Sequence, residues 1–445
     1  MYDVTIIGAG VSSIFMAYSL AKSNKKVLIL DKGKALEDRH CPLDQGKVCN
    51  CTTCDKYFGF GGLGKSEGKF NYTNGFGGEL EQKVGKEGFL QLMAEVDEIL
   101  CQFGGNSVSK YSTENPTLNK RAETCGLQML TTEVRHLGTT LSSNIFQQLY
   151  EFLLTKINIR FHIDVQHVVK QQDHFKISTN QGTVHSKQLV FATGRSGTDW
   201  LKEMCSSLEI AQEQTRIDLG IRVEMKEHQL RSILKDTFET KLSYQHEHFT
   251  ATTYCMNPKG RIIRKYEEGL VMPDGQNFRE QETGTSNLNF TLFIPRYFPT
   301  LKEANVYASS IIKNINQGRD RIVIQRLEDL IKKQPTAENN MKHNRIQPTL
   351  HGDYGDLNKE IPSLYIEGLK KFLLRLEQFI QEPIDQDTLL YGIDGKFYAP
   401  TIKINNHFET SMNGLFLIGD CSGVTHSLSQ AAASGLYVGK YLSGI

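Results

Sequence analysis

The 445-residue chain has little of what would place it in several broad classes of protein. It contains a single tryptophan, and no apolar run approaches the ~18 residues that a membrane-spanning helix needs. Neither sign of charge dominates, because 51 Lys and Arg residues face 50 Asp and Glu residues. A strongly basic nucleic-acid-binding surface is therefore not expected, and neither is a membrane partner.

The amino-terminal segment and the cysteine content favour the cytoplasm. The opening sequence MYDVTIIGAGVSS has no basic region followed by a cleavage site, so we expect no signal peptide. Nine cysteines are an odd number, and a chain of this length needs no disulfides to stabilise its core. We therefore expect reduced thiols and a cytoplasmic location.

The first thirty residues carry a pattern typical of dinucleotide-binding domains. Val4–Ile7 predicts a buried parallel strand, a helical stretch runs to Leu20, and Lys26–Leu30 predicts a second strand. A glycine turn joins the first strand to the helix, with a serine at its third glycine position. We expect this turn to receive a pyrophosphate and the end of the second strand to hold a ribose, through Gly8, Gly10, Val11, Ser12, Ser13, Asp31 and Lys32.

Two later segments distinguish FAD from NAD. The apolar run Leu415–Ile418 ends in Gly419-Asp420 and is followed by a helical stretch from about Ser427 to Tyr441. This ending resembles that of FAD domains of the glutathione-reductase type, whereas an NAD domain is usually complete within one contiguous segment. The resemblance implies that Asp420 holds a ribityl hydroxyl and that the helix directs its positive end at the flavin.

The second of these segments lies in mid-chain. Alternating apolar residues at 159–165, then at 175–177 and 184, predict a three-stranded meander that leads into Ala192-Thr193-Gly194. In FAD domains of this type, such an ATG follows the last strand of the small sheet. By the same resemblance, the segment around Val165 supplies backbone contacts to the adenine.

A cysteine- and glycine-rich segment follows the second predicted strand. Cys41, Cys49, Cys51 and Cys54 lead into GFGGLGKSEGKFN, at 59–71, whose glycines predict a loop suited to close approach by phosphate or by a flavin ring. The predicted contacts in this region are Arg39, Gly61, Gly62, Leu63, Gly64 and Lys65.

Together with RHLGT at 135–139, GIRVE at 220–224 and YCMNPKG at 254–260, this segment resembles a family of bacterial FAD-dependent dehydrogenases. Glu67 stands where that family has Asp, and the ending GDCSGVTHSLSQAAASG differs from the family's glycine-rich one. The resemblance therefore implies the fold and FAD, but no substrate. The four cysteines are compatible with a metal, with redox thiols or with simple packing, and no metal is assigned.

The predicted fold is α/β, with a Rossmann-like FAD-binding domain of the glutathione-reductase type and an inserted α+β substrate domain. We assign 1–80, 135–204 and 401–445 to the FAD-binding domain, and 81–134 and 205–400 to the substrate or cap domain. Within the insertions we expect helices at Gly88–Phe103, Val306–Ile315, Arg319–Lys332 and Ser363–Phe379, and strands at Leu219–Glu224 and Leu288–Ile294.

The predicted function is that of an FAD-dependent oxidoreductase, a dehydrogenase or reductase that transfers hydride between the flavin and a small organic substrate. No second complete glycine fingerprint occurs in the sequence, so the electron donor or acceptor, NAD(P)H or O2, would be external. His426 is the leading candidate to move a proton, and Tyr254 and Arg222 are further catalytic candidates. A strand arginine is also compatible with a structural pair, for which Glu224 is the nearest acid.

Two alternative functions are also compatible with the sequence. A single-component flavin monooxygenase would have the same fold, although a single Trp excludes the halogenase WxWxIP element. An FAD-containing RNA- or protein-modifying factor is suggested only by short basic stretches such as Lys342–Arg345, which are interleaved with acids.

Overall fold

The computed structural model of the protein describes residues 1–40, 53–237, 240–267, 269–276, 284–398 and 401–444, without the side chains of Ser66, Glu67 and Cys255. Cys41, Cys49 and Cys51 lie outside the described residues. None of the helices within these ranges is both long and apolar enough to cross a bilayer. The same ranges hold no group of three or more His, Cys, Asp or Glu side chains arranged to bind a metal ion.

The chain forms both strands and helices, with runs of consecutive strands at 158–191 and 241–298. The strands are β1 (Tyr2–Ile7), β2 (Val27–Leu30), β3 (Lys69–Tyr72), β4 (Tyr111–Ser112), β5 (Gln128–Leu130), β6 (Glu133–His136), β7 (Asn158–Arg160), β8 (Val165–Lys170), β9 (Phe175–Thr179), β10 (Gly182–Phe191), β11 (Thr215–Lys226), β12 (Lys241–His246), β13 (Phe249–Pro258), β14 (Arg261–Glu267), β15 (Leu270–Gln276), β16 (Asn287–Phe298), β17 (Val323–Arg326), β18 (Asp353–Tyr354), β19 (Leu389–Phe397) and β20 (Leu415–Leu417). The helices are α1 (Val11–Leu20), α2 (Gly64–Glu67), α3 (Leu80–Gln102), α4 (Pro116–Thr124), α5 (Gly138–Leu154), α6 (Thr198–Ser207), α7 (Arg231–Leu234), α8 (Leu301–Asn316), α9 (Leu327–Ile331), α10 (Glu338–Lys342), α11 (Leu357–Glu360), α12 (Ser363–Ile380) and α13 (Leu428–Ser443).

The chain divides into two compact units, of which the first comprises Met1–Ser112, Thr132–Gln214 and Ala399–Ile445. Its main sheet has the parallel order β7-β2-β1-β10-β20, and β8 and β9 continue from β10 as an antiparallel meander. The strands β1, β2 and β20 are almost entirely buried, as their uninterrupted apolar runs predicted. The α/β class and the Rossmann-like architecture are thus confirmed.

The meander differs from its prediction at the first strand. The alternating run at 159–165 was expected to form one strand, but β7 occupies 158–160 at the far edge of the parallel sheet and β8 begins only at Val165. His162, with φ at +57°, lies between the two strands, and its backbone N–H donates to the carbonyl of Gly33. A period of two does not reveal such a break, because the apolar residues at 159, 161, 163 and 165 alternate through it.

Helices α1 and α13 pack with their backbones in close contact. A Cβ atom added at Gly435 of α13 would lie 1.9 Å from the carbonyl oxygen of Ser12, and one at Gly439 would lie 2.7 Å from that of Met16. Neither position tolerates a side chain unless one helix shifts. The two glycines therefore permit the close approach of α13 to α1.

This packing predicts that Gly435→Ala destabilises the protein by about 1–3 kcal/mol, because the added methyl group overpacks a backbone contact. Gly88→Ala is the matched control, since Gly88 also lies within a helix but its nearest neighbour to an added Cβ is Val84 at 3.6 Å. Removing this glycine should stabilise the protein slightly through helix propensity. Urea unfolding of both variants measures the difference, and equal stabilities would contradict the packing argument.

The second unit comprises Thr113–Thr131 and Thr215–Tyr398. Its sheet has the order β18-β17-β19-β11-β16-β13-β12-β5. The apolar face of β11, with Ile217, Ile221 and Val223, belongs to the same core as residues of α8 and α12. The opposite, polar face carries Arg222 and Glu224, and the β14–β15 hairpin supplies acid and base partners to it.

Two predictions about the inserted segments need correction. Arg319–Lys332 was expected to be one helix, but the β-branched residues of Val323–Arg326 form a strand and only Leu327–Ile331 is helical. The segment Leu80–Gln102 has non-helical backbone at Gly85. The helix predicted from Gly88 lies after this kink, and its buried residues Phe89 and Val96 join the core of the first unit. Residues 81–112, 132–134 and 205–214, which the sequence assigned to the substrate domain, therefore belong to the first unit.

Candidate functional site

A cleft of about 950 Å³ lies in the first unit, at the carboxyl ends of β1, β2 and β10 and beside Asp420, which follows β20. Ligands of doubly wound sheets bind at this edge, because the turns that follow the parallel strands converge there. The predicted residues that line the cleft are Gly8, Gly10, Val11, Ser12, Asp31, Lys32, Gly62, Leu63, Val165, Ala192, Thr193, Gly194, Asp420 and His426. The structure thus brings together residues from six separate segments of the chain.

The glycine turn has one glycine for packing and one that borders open space. Gly8 has φ at +105°, and an added Cβ would lie 2.4 Å from the carbonyl oxygen of Ala192. An added Cβ at Gly10 would meet no atom within 4 Å. Gly10 is also the N-cap of α1, and no side chain among the described residues caps this helix end. Its first backbone N–H groups are therefore suited to an anion in the cleft.

The carboxylate of Asp31 joins three turns of the backbone. Its Oδ2 accepts from the N–H of Ala9 at 2.6 Å, and its Oδ1 accepts from Gly33 at 2.7 Å and Gly59 at 3.0 Å. Burial raises the pKa of Asp31, although these backbone donors act in the opposite direction. Asp31 thus holds the wall of the cleft in place as well as lining it.

Six of the residues predicted to contact the cofactor do not line the cleft. The guanidinium of Arg39 donates to the backbone carbonyls of Asp55, Lys56, Phe60 and Gly62. These hydrogen bonds stabilise the conformation of the glycine-rich loop. The other predicted residues that do not line the cleft are Ser13, Gly61, Gly64, Lys65 and Gly419.

The nearest contacts explain the placement of two of these residues. The ammonium of Lys65 donates to the carbonyl of Arg39 at 2.6 Å. An added Cβ at Gly64 would lie 2.5 Å from Val11 Cγ2, so this glycine serves close packing. Arg39 and Lys65 therefore contact backbone carbonyls, and neither is proposed as a cofactor contact.

Asp420 is held by donors on both carboxylate oxygens. Oδ2 accepts from Arg195 Nε at 2.9 Å, and Oδ1 accepts from Thr425 Oγ1 at 3.1 Å. Arg195 Nη2 also donates to the carbonyl of His426 at 3.2 Å. The adjacent Cys421 is fully buried, and burial raises the pKa of its thiol to about 11, so this cysteine is not a nucleophile at neutral pH.

The sole tryptophan lines the opposite part of the site. The indole N–H of Trp200 donates to the carbonyl of Val165 at 2.7 Å, and its ring lies edge-to-face with Phe191 at 5.0 Å between ring centres. Trp200 lines the cleft together with Ile163 and Asp164. The side chain is therefore fixed against the meander with part of its ring at the cavity.

The two catalytic candidates in the second unit, Arg222 and Tyr254, lie among residues of that unit's own sheet. Arg222 is 1% exposed and donates to Asn289 Oδ1 and Thr291 Oγ1, with Asp274 and Asp394 as its acidic neighbours at 3.5 Å. These contacts favour a structural role for Arg222. The prediction that Glu224 is its acidic partner is wrong, because Asp274 and Asp394 are the acids beside it.

Glu224 instead accepts from Tyr391 and Asn287. The third candidate, Tyr254, has the ammonium of Lys396 3.5 Å and that of Lys241 4.7 Å from the centre of its ring. Neither Arg222 nor Tyr254 lines the cleft of the first unit.

Sequence reasoning missed several residues of the lining. Arg195 directly follows the ATG segment, and this adjacency was a usable signal. Trp200 had no comparable signal, since a tryptophan near a helix start is compatible with simple packing. Lys56, Tyr57 and Asp164 also line the cleft, and their positions depend on how the loops fold rather than on any periodic pattern.

Comparisons with known proteins agree with the Rossmann-like arrangement at the amino-terminal end of the chain. A family model described as an NAD(P)-binding Rossmann-like domain matches residues 6–36, which contain the glycine turn, α1 and β2. A Clostridium beijerinckii protein described as uncharacterized is 20% identical over 476 aligned residues, covering 98% of this chain and 80% of the relative.

Among solved structures, glycine oxidase from Geobacillus kaustophilus is similar at a TM-score of 0.40 and 12% identity, over 99% of this chain and 94% of that one. A mutant of the halogenase PltM in complex with FAD is similar at 0.39 and 11%, over 100% of this chain and 68% of that one. These structural likenesses are too distant to bear on ligand or reaction. The matched family model shows that residues 6–36 are similar to an NAD(P)-binding Rossmann-like domain.

Proposed function

We propose that the cleft of the first unit binds FAD and that the protein is an FAD-dependent oxidoreductase acting on a small organic substrate. One observation carries this proposal: the glycine turn, Asp31, the ATG turn and Asp420 line one cleft although up to about 400 residues separate them in sequence. A site for a single mononucleotide would need only the glycine turn and Asp31. The late Gly-Asp segment supplies a wall suited to the second half of a longer dinucleotide.

The residues present fit FAD in chemistry as well as in placement. The uncapped end of α1 and the bare backbone of Gly10 suit the pyrophosphate. Asp31 suits the adenosine ribose, and the backbone of Val165 with the ring of Trp200 suits the adenine. Asp420 suits a ribityl hydroxyl, because its carboxylate lines the cleft and is an acceptor for hydroxyl donors.

When bound, FAD would supply an isoalloxazine ring that exchanges hydride with the substrate. The protein then has to hold the substrate at this ring and move one proton. His426 lines the same cleft as Asp420, and its backbone N–H donates to Gly77 at 2.8 Å, which fixes its position. An imidazole titrates near neutral pH, so His426 is the residue that we propose to hold that proton.

The sole tryptophan gives a direct test of cofactor binding. We expect FAD to quench most of the emission of Trp200, because the isoalloxazine accepts energy from an indole in the same cleft. Trp200→Phe should abolish this signal while the protein still acquires the visible absorption of bound flavin. Lys187→Ala, which removes an exposed ion pair with Asp3, is the control and should bind FAD as the wild type does.

If titration with FAD changes neither the emission nor the visible spectrum, the proposal is wrong. A second measurement separates the reaction classes. Anaerobic bleaching of the bound flavin by an organic substrate indicates a dehydrogenase, whereas substrate-dependent O2 uptake with NADPH indicates a monooxygenase. Salt-sensitive retention on RNA would instead support a modifying factor.

A further inference from the structure

Arg195 connects three segments at one side of the cleft. It follows the ATG turn of β10, it forms an ion pair with Asp420 after β20, and it donates to the carbonyl of His426 before α13. It is one of the cleft-lining residues, with its side chain 52% exposed. None of the motifs described above assigns a role to this arginine.

We infer that Arg195 is a positioning residue that orients the Asp420 carboxylate toward the ribityl–flavin half of the cofactor. This inference rests on the FAD site proposed above. A carboxylate at the end of a turn rotates and is solvated by water unless donors fix it. Arg195 Nε and Thr425 Oγ1 each donate to one oxygen of Asp420, so the carboxylate has a defined orientation at the cleft.

The arrangement also separates a positioning role from a merely structural one. An ion pair with one partner half exposed contributes little to folding, because water and salt screen it. Loss of the guanidinium should therefore leave the thermal midpoint almost unchanged. It should nevertheless change the preference of the cleft between ligands, because only FAD has the ribityl–flavin half, whereas ADP ends at the pyrophosphate.

The experiment compares the affinities of the full-length protein for FAD and for ADP. We expect Arg195→Ala to weaken FAD binding about tenfold, as loss of a charge-assisted hydrogen-bond arrangement does, and to leave ADP binding within about twofold of the wild type. Arg195→Lys should restore part of the FAD affinity, because the ammonium can still reach a carboxylate oxygen. Lys187→Ala again serves as the exposed-charge control.

A double-mutant cycle tests the link to Asp420. If Arg195 acts through Asp420, adding Arg195→Ala to Asp420→Asn should cost no further FAD affinity. Additive losses, an equal loss of ADP affinity, or unchanged FAD affinity in Arg195→Ala would each overturn the inference. If the wild type itself fails to bind FAD, the proposed function fails and the inference fails with it, whereas the other outcomes leave the FAD site standing.

Discussion

Asp31→Ala is expected to destabilise the protein by about 3–5 kcal/mol and to weaken FAD binding about a hundredfold. The substitution leaves the buried backbone N–H groups of Ala9, Gly33 and Gly59 without their acceptor, and each unsatisfied donor carries a desolvation penalty. It also removes the carboxylate proposed for the ribose. Urea unfolding and a Trp200 fluorescence titration measure the two effects.

Asp31→Asn is the informative comparison for this prediction. The amide retains one acceptor oxygen but replaces the other with a donor, so it satisfies only part of the backbone contacts. Its loss of stability should lie between those of the wild type and the alanine variant. An alanine variant that unfolds at the same urea concentration as the wild type would contradict the role assigned to this carboxylate.

The second large effect concerns a buried ion pair in the same unit. Asp97 on α3 accepts from Arg135 Nε at 2.6 Å and Nη2 at 2.9 Å, and from Tyr72 Oη at 2.6 Å. Both charged side chains are about nine-tenths buried. Asp97→Asn should cost about 3 kcal/mol, because it leaves the Arg135 charge uncompensated where water cannot reach it. Lys187→Ala, which removes only an exposed ion pair with Asp3, should leave the stability nearly unchanged.

The same pair predicts a pH dependence. Burial alone would raise the pKa of Asp97, but the hydrogen bonds from Arg135 and Tyr72 outweigh it, and the pKa lies below its usual range. A carboxyl with a lowered folded-state pKa stabilises the fold above its unfolded pKa of about 4, and this stabilisation is lost as the pH falls below that value. The wild type should therefore lose more stability than Asp97→Asn between about pH 5 and pH 3. Parallel losses in the two proteins would refute this.

Local sequence signals were sufficient for the centre of the first unit. The β1–α1–β2 segment could be predicted because its apolar runs are uninterrupted and glycines mark the turn between them. Val323–Arg326 could not, since a short apolar run is compatible with a helix or a strand, and the choice depends on its pairing with β19. The break between β7 and β8 was hidden because the alternation of apolar residues at 159–165 continues through it.

Side-chain roles were harder to predict than backbone positions. A cationic residue beside a glycine-rich loop suggests a phosphate contact, yet Arg39 satisfies backbone carbonyls that the loop itself leaves without partners. The pair of Arg195 with Asp420 joins residues 225 positions apart, and no local pattern contains that information. Sequence therefore located the cleft, whereas the partner of each charge required the folded chain.

The glycine-mediated contact between α1 and α13 has a consequence for biosynthesis. Roughly 400 residues separate the two helices, which at about 5–20 residues per second corresponds to about 20–80 s of translation. Until α13 is made, the surface of α1 at Ser12 and Met16 stays uncovered, and the continuous stretch Thr215–Tyr398 of the second unit is completed before α13. The cleft of the first unit, which Ser427, Leu428 and Ala431 help to line, is thus one of the last parts of the protein to form, and chaperones would have until then to bind at α1.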